Sequence, residues 1–420
     1  TGDEGGLDMQ QFNPAGLPAR KLSHCVLPRC PMTETSKPIA HATTLRGAVR
    51  LATDATAGLT DLVEAMHERI GRLPGVKPPA QAERTRGIAG LVYKSVRGVT
   101  RIVGGSLDAL LGVLGPTLGS STPGPEREAI VAALNGVLGD YLAATGNPLA
   151  TATMLRTAGP ASGCVVVLAH GLCMNDLQWQ QAGHDHGAAL QRDLGFTPVY
   201  LRYNSRQHVS VNARAFAAAL EQLLARWPVP VQRLVLLGHS MGGLVMRSAL
   251  HQAQQSGHQW PAQLTDMVFL GTPHHGAPLE RAGNWVDIVL GATPYAAPFA
   301  RLGKVRSAGI TDLRHGNLLD EDWVGRDRFA RGVDRRQPVP LPARVRCFTV
   351  AATLGARGGD TRDRLLGDGL VPLASALGQH ADPARALAFR PTRQKVFHGM
   401  GHLALLGRPE VYQQLRRWLG

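Results

Sequence analysis

Apolar residues recur along the first third of the chain at helical spacing. From Thr44 to Ile70 the positions Leu45, Val49, Ala52, Ala55, Leu59, Val63, Met66 and Ile70 advance by threes and fours. That spacing predicts a helix, which Leu73-Pro74-Gly75 stops. Ile88 to Val103 predicts a second helix and Leu107 to Leu114 a short third. A fourth follows Thr122-Pro123-Gly124-Pro125, carries Ile130, Leu134, Val137, Leu138, Tyr141 and Leu142 on one stripe, and closes at Asn147-Pro148. Residues 40–156 therefore read as an all-helical region. At Gly163 the pattern changes to short unbroken apolar runs: Cys164 to Ala169, Thr197 to Tyr203, Val231 to Leu237, Met267 to Leu270, Val345 to Ala351 and Gln394 to Phe397. Helical stretches such as Val211 to Trp227 lie between them. Strands apolar on both faces and alternating with helices predict a doubly wound, mostly parallel sheet, an α/β domain over residues 157–420. The interval 276–342 breaks this rhythm with apolar patches at Trp285 to Leu290 and Tyr295 to Leu302. It is expected to be a cap inserted after a strand end, where sites form in open α/β sheets.

Residues 1–39 show no periodicity and are expected to be a disordered leader. If Met32 is the initiator, the residues before it are tag or read-through. They contain no signal-peptide apolar region, and no run along the chain reaches the 18 or so apolar residues of a membrane span. A cytoplasmic protein is the expectation. The net charge of +14 changes this picture little. Only six of the 45 basic residues are lysine, a skew that reflects coding composition, and aromatics are 5% of the chain, so no nucleic-acid partner is expected. Cys164 and Cys347 fall in apolar runs, Cys25 and Cys30 in the leader, and Cys173 stands alone, which is no disulfide framework.

The candidate chemistry centres on Val231 to Gly243, VQRLVLLGHSMGG. A buried strand runs into Gly238-His239-Ser240-Met241-Gly242-Gly243 and then into a helix, the context in which G-x-S-x-G forces a serine onto a tight turn with its hydroxyl exposed. Serine needs a histidine to take its proton and a carboxylate to orient that histidine. In doubly wound hydrolases these follow in the order serine, acid, histidine. Asp368, in Gly367-Asp368-Gly369-Leu370-Val371-Pro372 after a strand, is the expected acid, with Asp360 and Asp363 its rivals. His402, beyond the Gly399-Met400-Gly401 loop, is the expected base, with His398 a packing residue. The oxyanion of acyl transfer needs two N–H donors. Met241, after the serine, and Leu172, in an exposed His170-Gly171 turn, are the candidates. His184-Asp185-His186 lacks a third metal ligand at useful spacing and is expected to cap a helix. His274 and His275 are expected to line the mouth of the cleft.

Taken together, the segments HGL, GHSMGG, LGTPHHGAP, GDGLVP and GMGHLALLGRPEVYQQL resemble an α/β-hydrolase of the bacterial lipase and esterase group. They are similar also to the lipase-like domain of GPI inositol-deacylases. The resemblance covers about Gly163 to Gly420 and implies an α/β-hydrolase fold with Ser240, Asp368 and His402 as triad and Leu172 and Met241 as oxyanion hole. The expected activity is hydrolysis of carboxylic esters, small-molecule or lipid, through an acyl-enzyme and without metal or organic cofactor. The same residues would serve an acyltransferase, thioesterase or amidase, and a binding protein on a retired hydrolase fold is the alternative of another class. The helical region matches no such motif. Its helix Ile88 to Val103 sets apolar residues opposite Lys94, Arg97 and Arg101. That arrangement suits packing against neighbouring helices or, alternatively, peripheral contact of residues 88–103 with a membrane surface.

Overall fold

In a computed structural model of the chain, the residues described are 45–54, 56, 131, 135, 139–277, 308–325, 334–356 and 367–420. All belong to the unit Glu34–Gly420. Seven strands form one sheet: β1 (Met154–Thr157), β2 (Cys164–Ala169), β3 (Thr197–Arg202), β4 (Arg233–His239), β5 (Leu264–Leu270), β6 (Arg346–Thr353) and β7 (Gln394–His398). Their order is β1-β3-β2-β4-β5-β6-β7, parallel throughout except that β1 pairs antiparallel with β3. The helices are α1 (His186–Leu194), α2 (Val209–Ala225), α3 (Met241–Gln255), α4 (Ala308–His315), α5 (Leu373–Ala376) and α6 (Pro409–Leu419).

The period-two pleat explains why whole strands are apolar. On β2, Val165, Val167 and Ala169 face one core and Val166 and Leu168 the other; Leu234 and Leu236 of β4 divide from Val235 and Leu237 in the same way. The first core is closed by α2 and α3, through Phe216, Leu220, Leu244 and Val245. The second is closed by α1 and α6, through Leu190, Val411 and Leu415. The fold class read from the sequence is thus the one observed. Val235 and Leu237 at the centre of the sheet are wholly buried, and burying such a side chain stabilises by roughly 1.5–3 kcal/mol.

The domain boundary expected at 156/157 needs correction. Met154–Thr157 is a sheet strand, so the all-helical region ends before it. This strand was missed because its four residues, MLRT, are half-buried at a sheet edge and carry two polar side chains, leaving no apolar run. Within the helical region, residues 45–54 and 139–144 are helical, and Val131, Leu142 and Leu149 form a separate small core with Leu51 packed against it. Asn147 closes the two stretches together, its Nδ2 donating to the Gly47 carbonyl at 3.1 Å. The leader and the helices expected at 88–103 and 107–114 lie outside the described residues, as do the apolar patches of the cap.

Of the insertion 276–342, the described parts are 276–277, 308–325 and 334–342. They are tied to the start of α2. The buried Asp312 of α4 accepts hydrogen bonds from Val209 N (2.7 Å), His208 Nδ1 (3.0 Å) and Asn317 Nδ2 (2.9 Å). Trp323 stacks on His208 with ring centroids 3.6 Å apart and donates from Nε1 to Ser210 Oγ at 3.0 Å. Gly309 is required here, because a Cβ would overlap the Ser205 carbonyl and stand 3.1 Å from Met241 Cε.

Candidate active site

Ser240 ends β4 and opens α3 at φ 53°, ψ −122°, a conformation that costs a non-glycine residue about 1–3 kcal/mol and persists only where surroundings enforce it. The surroundings are glycine contacts. A Cβ on Gly242 would overlap the carbonyl of Ala169, and one on Gly243 would overlap Thr272 Oγ1. The helix start is thereby pressed against the ends of β2 and β5, and Ser240 N donates to Leu270 O at 2.8 Å. The spacing of glycines in the sequence is the imprint of this close approach.

Asp368 lies in a turn between Gly367 (φ 55°) and Gly369 (φ 93°). Its Oδ1 accepts from Leu370 N (3.0 Å) and Val371 N (2.8 Å), which leaves Oδ2 to accept from His402 Nδ1 at 2.6 Å. A second bond, from His402 N to Asp368 O (3.1 Å), joins the two backbones. Both side chains are buried. With its proton on Nδ1, the neutral imidazole presents an Nε2 lone pair, and that atom has no hydrogen-bond partner. The ring packs on the strand end that holds the serine: a Cβ on Gly271 would stand 3.0 Å from His402 Cε1, one residue from the Leu270 carbonyl that Ser240 N binds. Asp360 and Asp363 lie outside the described residues. His398 ends β7, exposed, with Nδ1 within 2.9 Å of Thr353 Oγ1.

The loop after β2 passes the serine directly, since a Cβ on Gly171 would stand 3.2 Å from Ser240 Cβ. Leu172 and Met241 are buried, and neither backbone N–H has an acceptor among the described residues. The expected exposed His-Gly turn is instead buried. His170 stacks on Tyr203 with centroids 4.2 Å apart, and Tyr203 OH donates to the His170 carbonyl at 2.7 Å. Burial holds His170 neutral, its pKa lowered to about 4. Nδ1 then donates to Gly171 O at 2.8 Å while Nε2 accepts from Tyr203 N at 3.4 Å. Cys173, at φ 58°, donates from N to Ser205 Oγ at 2.9 Å.

Sequence reasoning missed His239. Its Nε2 donates to the His402 carbonyl at 3.3 Å and its ring lies 4.6 Å from that of His402, so it braces the His402 ring from behind. The signal was present as the variable position of G-x-S-x-G. The His184 to His186 segment behaves as a cap: Asp185 Oδ1 accepts from Ala188 N at 3.0 Å, and His184 and His186 bond to each other at 2.9 Å. His186 Nε2 donates to Leu405 O at 2.9 Å. Among the described residues no group of three acidic, histidine or cysteine side chains could hold a metal ion. His274 is buried at 1% exposure and covered by Phe269 and Phe389, while the half-buried His275 bonds the Gly378 carbonyl through Nε2 at 3.1 Å.

Residues 160–333 match the family described as "PGAP1-like alpha/beta domain". The match includes Ser240 and stops short of Asp368 and His402. No curated protein matches the chain. Among solved structures, the mature Bacillus licheniformis lipase BlEst2 is similar at 17% identity and TM-score 0.40, over 63% of this chain and 98% of that one. A Pyrococcus furiosus esterase aligns at 14% identity and TM-score 0.36, over 64% and 87%. The RedJ thioesterase of Streptomyces coelicolor aligns at 16% and 0.33, over 62% and 94%. The parallel sheet with its serine elbow between β4 and α3 is an α/β-hydrolase fold.

Proposed function

We propose that the chain is a serine hydrolase of carboxylic esters. The observation that carries this reading is His402: Nδ1 bound at 2.6 Å to the buried Asp368 carboxylate, Nε2 unpaired, and the ring packed on the strand end that holds Ser240 in a left-handed turn. In this reading Ser240 Oγ attacks the ester carbonyl while His402 Nε2 takes its proton. The Leu172 and Met241 N–H groups receive the negative charge that develops on the carbonyl oxygen. Collapse of the tetrahedral adduct expels the alcohol, which takes the proton back from His402, and leaves an acyl group on Ser240. Water, deprotonated by His402, then releases the acid. Asp368 holds the imidazole in the tautomer that can accept, and stabilises it when it becomes positive. Small-molecule and lipid esters are the proposed substrates.

The test is hydrolysis of nitrophenyl esters from acetate to palmitate, with labelling by a fluorophosphonate. Ser240→Ala is expected to fold, to take no label and to lose about 10³-fold or more in kcat, because the side chain acts and does not pack. Activity within a few-fold of the parent, or undiminished labelling, would overturn the assignment.

A further inference from the structure

Arg247 projects from the second turn of α3 into the protein interior, where it is 6% exposed. Among the described residues no carboxylate meets it. Its Nη2 donates to the Val339 carbonyl, its Nη1 to His274 Nδ1 at 3.4 Å, and its Nε has no partner. The bond to Nδ1 fixes the His274 tautomer, since a ring nitrogen that accepts carries no proton. The His274 proton is therefore on Nε2, which also has no partner. Burial beside the Arg247 charge keeps this ring neutral. Two buried N–H donors, one of them on a guanidinium, thus stand without acceptors, although buried donors in folded proteins are almost always paired.

Both side chains line one cavity of about 30 Å³, walled by Pro338, Pro340 and Leu387. A single water needs roughly 10–15 Å³, so the space admits a group of two or three oxygen atoms. The charge around it is unbalanced. Arg336 and Arg385 join Arg247 in the lining. Arg336 binds Asp334 through both oxygens, at 2.9 and 2.7 Å, and Arg385 approaches Asp334 at 3.5 Å and the more exposed Asp382 at 3.3 Å. These carboxylates offset the outer two cations and leave Arg247 uncompensated. A buried guanidinium without an anion is electrostatically costly, and a neutral water would satisfy its hydrogen bonding without balancing its charge.

We propose that this cavity, between α3, the turn after β5 and residues 334–340, is a binding site for a small oxyanion, a carboxylate or phosphate group. Guanidinium recognises such groups through charge-assisted hydrogen bonds. The site is distinct from the Ser240 centre and stands whether or not that serine is catalytic.

Calorimetric titration of the intact protein with inorganic phosphate and, separately, with acetate tests it, with sodium chloride at matched ionic strength as the control. Saturable binding is expected at millimolar concentration or below, with a rise in Tm of about 2–4 °C. The tighter of the two arms identifies the ligand class. Arg247→Met should abolish binding and the Tm response. Arg336→Gln removes a lining cation that Asp334 offsets, and should weaken binding several-fold, which keeps the proposal testable if Arg247→Met does not fold. Absence of saturable heat from both anions in the parent protein means a buried water alone fills the site and overturns the proposal. So does unchanged binding in both variants.

Discussion

At the scale of single residues, the two histidines near the C-terminus separate by what their nitrogens touch. His402 has one nitrogen on a buried carboxylate and the other free, whereas His398 is exposed at a strand end and bonds Thr353. His402→Ala is expected to cost about as much as Ser240→Ala, and the double variant no more than either, because in the proposed mechanism the two act as one unit. His398→Ala should stay within a few-fold of the parent. The reverse pattern in ester-hydrolysis kinetics would reassign the base. Burial supplies a second residue-scale prediction. His170 and His186 are buried and held neutral, each with its pKa lowered from the ordinary 6.5 to about 4. A histidine with a depressed folded pKa binds its proton more weakly in the folded than in the unfolded chain. Its stabilising effect is complete above pH 6.5 and is lost as pH falls toward 4. In that window each contributes a slope of about 1.4 kcal/mol per pH unit. Urea unfolding at pH 7.5, 6 and 5 should show this loss. His186→Gln, which keeps a donor for the Leu405 carbonyl, should flatten the slope by one histidine. Stability constant from pH 7.5 to 5 would contradict the account.

At the scale of elements, the elbow stands on glycine contacts that differ in kind from the other glycines of the fold. Gly242 faces backbone that cannot move, the Ala169 and His170 carbonyls, while Gly257 has nothing within 4 Å and only a φ of +71° against it. Gly242→Ala should therefore unseat the start of α3 and cost more than about 3 kcal/mol, against about 1 kcal/mol for Gly257→Ala. Thermal melts of the two variants check the order. Equal costs would mean that contact with β2 does not hold the elbow. These elements were legible in the sequence for the same reason that they are stable. A strand buried on both faces is apolar at most of its positions, so β2 to β6 announced themselves despite the buried Asp266 and Thr349, and the serine turn announced itself through its glycines. What was not legible lacked such a requirement. β1 needs no apolar run at a sheet edge, and the buried His170 turn owes its burial to Tyr203, 33 residues away. The pairing of Asp368 with His402 was readable only as chain order; its geometry depends on three loops meeting at the C-terminal end of the sheet. Asp312, which fastens the insertion to α2 across 103 residues, carried no local signal at all.

At the scale of the whole molecule, the helical region that has no counterpart among the hydrolase motifs is joined to the loop that supports the candidate oxyanion hole. Asn204, just after β3, donates from Nδ2 to the Gly139 carbonyl at 2.7 Å, and its Oδ1 accepts from Arg206 N at 3.2 Å. The next residue, Ser205, accepts from Cys173 N with Oγ at 2.9 Å, and Cys173 adjoins Leu172. A chain of contacts thus runs from the helix at residues 139–144 through Asn204 and Ser205 to the backbone beside Ser240. The approach is close enough that a Cβ on Gly139 would overlap Asn204 Oδ1, so a larger residue there must displace the Asn204 amide. Gly139→Val is expected to push the helix off residues 204–206 and leave the Asn204 amide without its acceptor, which costs about 1–3 kcal/mol. If the helical region braces the loop, kcat on a short nitrophenyl ester should fall about 10-fold, and Ser205→Ala, which cuts the same chain one step nearer the serine, should fall at least as far. Limited proteolysis should then cut the 45–150 region of Gly139→Val sooner than that of the parent. A variant whose helices are cleaved early but whose kcat is unchanged would show that the region is attached to the α/β domain without supporting its chemistry. Early cleavage with a matched loss in both variants would make it a working part of the site.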